Sequence, residues 1–421
     1  MKIGRASLGG VIMVLLWAWV PAAQPAPQSP FVMVIFRNWI AWDRDQDGRL
    51  SPEEIDQIVL DGSVTGENAA AAGTLKLMTR RTEIKDITLT KEYFLNYDHQ
   101  RLGKEAALTQ DEAESQTMDL LNPEENNRHA PAAPPDWDLY FFAGKNRIAR
   151  AAGGWTGRFN LDHMRQGPLS DCFFLASLGS LLVQRSEQLK SLLTPLPDGT
   201  FRASFPGQAP FIVRRPTDAE LAISSVSAGD GCWLPVTEKA FGQFRMLKRG
   251  FDEDVEATDS ISHGGRTGPT IDLLSGNRHK SLLVAPSVEQ RQAEAGKVLP
   301  QLRAEILDAI RDHRLMTVSV MARAVDAAGR IVEGTDHGTA PHIPPGITRH
   351  HAYAIISYDE PGDVIGLWNP RGQNFVPKGT PGLEHGYRTE HGRFALPLVE
   401  AYSFCTNFTF EFPKQRSERV R

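Results

Sequence analysis

The run Cys172-Phe-Phe-Leu-Ala-Ser-Leu-Gly-Ser-Leu-Leu182 is apolar almost all round. A helix of that kind has no face to give to water, so the chain must close a core around it. Before it, Gln166-Gly-Pro-Leu-Ser-Asp171 supplies residues that cap and start helices. The first side chain of the buried helix is therefore a thiol. There it meets the positive end of the helix dipole and free backbone N–H groups, which favour a thiolate and bind an oxyanion formed beside it. Gln166 carries an amide close enough in sequence to serve as a second donor. A lone cysteine in such a place is ordinarily a small buried hydrophobe, so a functional reading needs partners.

The partners lie far along the chain. His351-Ala-Tyr-Ala-Ile-Ile-Ser-Tyr358 is rich in β-formers, Asp359-Glu-Pro-Gly-Asp363 has turn chemistry, and Val364-Ile-Gly-Leu-Trp-Asn369 is extended again. A four-residue loop at 360–363 pairs Asp359 with Val364. Counting back sets Asn369 opposite Ala354, within diagonal reach of His351 across a sheet. An asparagine that accepts from one ring nitrogen fixes the tautomer and leaves the other nitrogen for the thiol. His350 stands beside His351, and spacing alone does not choose between them.

These islands resemble the calpain-type cysteine proteases, whose signature reads Gln-Gly-x-Leu-Gly-Asp-Cys-Trp-Phe-Leu-Ala. Here it stands as Gln166-Gly-Pro-Leu-Ser-Asp-Cys172-Phe-Phe-Leu-Ala176. His351-Ala-Tyr353 matches the family's histidine motif and selects His351. Trp368-Asn-Pro-Arg-Gly372 resembles its Asn-Pro-Trp-Gly motif. Cys232-Trp-Leu-Pro-Val-Thr-Glu-Lys-Ala-Phe241 and Ile271-Asp-Leu-Leu-Ser-Gly276 resemble two segments between. The likeness spans 137–412 in the right order.

That resemblance implies an α+β chain: a two-lobed papain-like cysteine protease domain, preceded by a small all-α EF-hand-like module. The helical lobe would run over about 137–265 and the β-rich lobe over about 266–412. It also implies roles: Cys172 as nucleophile, His351 as general base and then acid, and Asn369 orienting the ring. Gln166 with the Cys172 N–H would form the oxyanion hole. The reaction would be endopeptidase hydrolysis of a protein or peptide through a thioacyl intermediate. Phe173, Ser170 and Arg371 depart from the family's Trp, Gly and Trp. His163 and Gly231 stand where the family's first-lobe calcium acids should fall.

The second strong signal precedes this domain. Asp43-Arg-Asp45-Gln-Asp47-Gly48-Arg49-Leu-Ser51-Pro-Glu-Glu54 fits the EF-hand loop at every required position. Asp43, Asp45, Asp47 and a final bidentate Glu54 suit Ca2+, with Arg49 giving its carbonyl and Ser51 a bridging water. Phe31 to Trp42 and Pro52 to Leu60 have helical apolar spacing. Leu89–Phe94 and Leu108–Glu112 have the ending of a second loop but lack its ligands. A helical EF-hand-like module over 31–118 with one competent site follows. The polar, Pro-rich linker at 119–136 offers no rigid coupling, so the module reads as structural.

Lys2, Arg5, the apolar stretch Leu8–Val20 and the small residues Ala22, Ala23 and Ala26 read as a signal peptide at 1–23, hence export to a secreted or periplasmic location. No stable membrane span is expected after its removal. With 421 residues and 41% hydrophobic content the chain can close more than one core, and a net charge of -5 argues against nucleic acid as partner. Cys232 and Cys405 either join outside the cell or remain buried thiols. A charged tail occupies 413–421. Two other classes meet the same residues. Transglutaminase-type acyl transfer is opposed by Asn369, while a calcium-dependent binding protein on an inactive fold is favoured only by Arg371.

Overall fold

The computed structural model describes residues 29–80, 88–101, 136–250, 257–320 and 341–413. The signal peptide at 1–23, the linker up to 135, Leu108–Glu112 and the tail from 414 onward lie outside the described residues.

Four helices come first: α1 (Pro30–Trp42), α2 (Pro52–Leu60), α3 (Gly66–Arg80) and α4 (Lys91–Arg101). Ser29 caps α1 by accepting from Val32 N–H, and Ser51 with Glu54 forms a capping box on α2. Next come α5 (Trp137–Ala151), β1 (Met164–Arg165), α6 (Cys172–Gln184) and α7 (Ser186–Ser191). The small strands β2 (Leu193–Pro195), β3 (Phe201–Ala203) and β4 (Phe211–Val213) follow, then α8 (Asp218–Ile223), β5 (Val226–Ser227) and α9 (Trp233–Lys248). The remainder is α10 (Thr267–Ser275), β6 (Arg278–Leu283), α11 (Val288–Arg311), β7 (Met316–Val320), β8 (His351–Asp359), β9 (Val364–Trp368), β10 (Arg393–Pro397), α12 (Leu398–Phe404) and β11 (Asn407–Phe412). The chain is thus mixed helix and sheet.

The last strands form a six-stranded antiparallel sheet in the order β10-β9-β8-β7-β11-β6. One of its cores is closed by α11 and α12. A second core surrounds α6, which sits among α9, α10 and the three-stranded sheet β2-β3-β4. Among the described residues no helix is long and apolar enough to cross a membrane.

Among the described residues the segment 137–265 is mostly helical but also holds β2-β3-β4 and the β1-β5 pair. Their strands of two or three residues are too short for an alternating pattern to show. The break at 265 also divides a core, because Ile271, Leu273 and Leu274 of α10 pack with α6. The β8–β9 register slips by one: Asp359 pairs with Val364, but a bulge between Ile355 and Ser357 sets Ala354 against Trp368. A side chain on Gly366 would meet Ser357 Oγ at 2.1 Å, so glycine leaves room for the serine hydroxyl across this bulge. Of the two states open to Cys232 and Cys405, the structure holds the buried free thiols, which lie in separate cores.

The larger change is at 137. Trp137, Tyr140 and Phe141 of α5, with Ala219 and Ile223 of α8, share one core with α1 to α4. The Ala69–Ala72 stretch of α3 is fully buried there. A Cβ on Gly73 would lie 2.9 Å from that of Ala222, so α3 and α8 approach as closely as backbones allow. The buried Lys76 ammonium bridges Asp56 on α2 and Asp259, the latter at 2.7 Å, and Arg80 binds Asp259 at 2.8 Å. The linker is therefore not what joins the module to the rest; packing is, and the expectation of loose coupling is corrected.

Candidate active site

Cys172 opens α6 and lines a cavity of about 550 Å3 together with His351, His350, His263, His279 and Asn407. Three contacts bring its neighbours to it. The Gln166 N–H donates to Pro370 O at 2.8 Å, tying the loop before the helix to the turn after β9. Met316 N–H donates to Ser180 Oγ at 2.8 Å, docking β7 on α6. The Trp368 ring packs against Gly179, where an added Cβ would come within 2.7 Å of it. Asn369 follows Trp368 directly, so the helix carrying the thiol positions the asparagine.

His351 begins β8, and its Nε2–H donates to Asn369 Oδ1 at 2.8 Å. That oxygen also accepts from Arg371 N–H at 3.0 Å, which fixes which way the amide faces. The imidazole is thereby held with Nε2 protonated, leaving Nδ1 as the basic atom. His350 takes a left-handed backbone (φ 49°) just before the strand and lines the same cavity.

The electrostatics differ from the simple helix-dipole expectation. Burial pushes the Cys172 thiol up to about 11, even though the N–H groups of Ala352 and Phe173 point at the sulfur and the Arg371 cation favours the thiolate. Burial also drives the His351 imidazole down to about 3, with Arg371 adding to the effect. Resting thiol and imidazole are both neutral, and among the described residues no hydrogen bond joins them. Gln166 does not present a donor to the sulfur either: its Nε2 donates to Leu169 O at 2.8 Å and Asp171 Oδ1 at 3.2 Å. Its two amide hydrogens are used within its own loop, which departs from the role expected of it.

Sequence reasoning missed several participants. Ala352 N–H was hidden because backbone donors carry no residue signature. The closeness of Trp368 to Gly179 had one available signal, a glycine in the middle of an otherwise bulky buried helix. Asp162 and Asp230, beside the positions expected for first-lobe calcium acids, are otherwise engaged. Asp162 pairs with Arg393, and Asp230 accepts from His163 Nδ1 at 3.0 Å.

In the N-terminal loop, carboxylate oxygens of Asp43, Asp45 and Asp47 lie within 4.8 Å of one another. Asp43 is buried and its Oδ1 has no partner, while Oδ2 accepts from Trp39 Nε1 at 3.0 Å and Gly48 N–H at 3.1 Å. A buried carboxylate oxygen without a donor fits a cation ligand, and an all-oxygen set suits a hard one. Gly48 has φ 85°, which the sharp turn needs. Burial raises the Glu54 carboxyl, but hydrogen bonds from Ser51, Arg44 and Asp45 more than offset it and hold it low. Leu50 N–H donates to Leu89 O at 2.9 Å, and Arg49 bridges Thr90, so the segment before α4 pairs with this loop. The Arg49 side chain turns outward onto Asp47.

A scan against protein-family models finds none that matches this chain, and a search of curated proteins finds no relative.

Proposed function

We propose that this chain is an exported cysteine endopeptidase of the calpain-like, papain-fold type, acting on protein or peptide substrates. The observation that carries the reading is the 2.8 Å bond from His351 Nε2 to Asn369 Oδ1, made beside the cavity that Cys172 opens onto. His351 Nδ1 takes the thiol proton, the thiolate attacks the scissile carbonyl, and the imidazolium returns that proton to the leaving amine. Water then hydrolyses the thioacyl group with the same base. The Cys172 N–H is the oxyanion donor at the helix start.

Resting proton affinities set a condition. Burial raises the thiol and lowers the imidazole, so both rest neutral and the transfer is uphill in the free protein. In this mechanism the transfer takes place once bound substrate changes the surroundings of both groups. A peptidyl epoxide that fills the cleft should label Cys172 at neutral pH, whereas iodoacetamide, which does not, should react at a rate that climbs with pH as for an unactivated thiol. Cys172→Ala should abolish both reactions at this site. Absence of epoxide labelling in the wild type would favour the second reading, a binding protein on an inactive fold, which the inward-turned Gln166 amide supports.

Asp43, Asp45, Asp47, Ser51 and Glu54, with the Arg49 carbonyl, would hold Ca2+ as an EF-hand. The ion would neutralise the clustered carboxylates and order the loop between α1 and α2. Because that module shares its core with α5 and α8, its stability belongs to the whole chain. Millimolar calcium should raise the melting temperature by a few degrees, and Glu54→Gln should remove most of that gain, as read by calorimetry.

A further inference from the structure

We infer that Asp171 and Glu238 form a buried carboxyl pair sharing one proton, and that the pair positions the Gln166 loop against the start of α6. Both residues are fully buried, and each is already half engaged. Asp171 Oδ1 accepts from Gln166 Nε2 at 3.2 Å, while Glu238 Oε2 accepts from Ser225 N–H at 2.8 Å. Ser225 Oγ in turn accepts from Gly167 N–H at 3.0 Å, so both carboxyls grip the same short loop.

The other two oxygens, Asp171 Oδ2 and Glu238 Oε1, are buried without a donor. The two carboxyl groups are within hydrogen-bonding reach of each other. Two ionised carboxylates in that position would repel each other and leave two orphan acceptors. One proton, held by Asp171 and donated to Glu238, satisfies both. The charged or titratable groups facing the pair are Arg147 from α5, beside Glu238, and the Cys172 thiol, beside Asp171. Arg147 favours the remaining negative charge on Glu238, which agrees with the assignment. Burial lifts Asp171 well above the usual carboxylate range, and Glu238 adds to the lift. A neutral Asp171 also removes a negative charge that would oppose the thiolate next to it.

Asp171 is in this sense a positioning residue, and its catalytic consequence rests on Cys172 being the nucleophile. The pairing itself does not. Asp171→Asn mimics the protonated acid: its Nδ2–H donates to Glu238 and its Oδ1 accepts from Gln166. It should therefore retain most of the kcat/KM that Asp171→Ala loses, the loss being about 10- to 100-fold and mainly in kcat. A raised folded-state pKa means that wild-type stability declines as pH rises above the ordinary carboxylate range towards the raised value. Asp171→Asn lacks that decline, so its melting temperature should gain on the wild type steadily from about pH 4 upwards. If Asp171→Ala does not fold, Asp171→Asn against wild type decides alone. Parallel melting curves across pH, or an asparagine variant as impaired as the alanine one, would overturn the shared proton. Failure of the wild type to take the epoxide label would instead overturn the peptidase reading, and the melting curves would still decide the pair.

Discussion

Asn369→Ala is expected to lower kcat/KM on a peptide substrate by about 10²- to 10³-fold, chiefly through kcat. Its Oδ1 is the acceptor for His351 Nε2–H, and without it neither the tautomer nor the ring plane is held. Arg371 N–H would lose the same acceptor, which loosens the turn after β9. Asn369→Asp provides the contrast. A carboxylate at that position keeps the bond but favours the imidazolium, so the His351 pKa rises from about 3. Since the proposed mechanism needs a neutral imidazole to accept the thiol proton, the acid limb of the pH–rate profile should move to higher pH in Asn369→Asp. An alanine variant with wild-type kcat would show that the asparagine does not steer the ring.

The second large effect is expected at Gly179→Ala, far from any reacting atom. The added methyl would meet two Trp368 ring carbons at 2.7 Å and Leu161 Cδ1 at 3.2 Å. Trp368 is wholly buried and cannot swing clear. Overpacking of this kind costs up to about 3 kcal/mol, against which alanine gains about 1 kcal/mol of helix propensity. A net loss of about 2 kcal/mol in denaturant unfolding is the expected outcome. Because Trp368 immediately precedes Asn369, turnover per folded molecule should also fall. A variant of unchanged stability and activity would mean that the ring is not wedged on the helix.

How far these features were legible follows from the kind of signal each one left. The apolar run from Cys172 declared a buried helix because no face of it is polar, and it is one of the most enclosed elements of the molecule. The hairpin of β8 and β9 was legible from Glu360-Pro-Gly-Asp363, a turn flanked by β-formers. Its bulge was not, because what admits it is the absence of a side chain at Gly366 opposite Ser357. The pairing of the segment at Leu89 with the Asp43–Glu54 loop was hinted at only by its helix-start ending. The shared core of α3, α5 and α8 left no signal either. Ala69–Ala72 is unremarkable in hydropathy and acquires its meaning only from the close approach of Gly73 to Ala222. The proton affinities of Cys172 and His351 depend on enclosure, which no local pattern encodes.

The common core across position 137 bears on how such a chain is made. During synthesis α1 to α4 emerge before Trp137, Tyr140 and Ile223, which share their core, have been translated. The segment carrying Asp43, Asp45 and Asp47 is therefore no detachable piece that could be trimmed off or transplanted to another protein. Cutting it away would strip the covering from α5 and α8 and leave the remainder prone to clump.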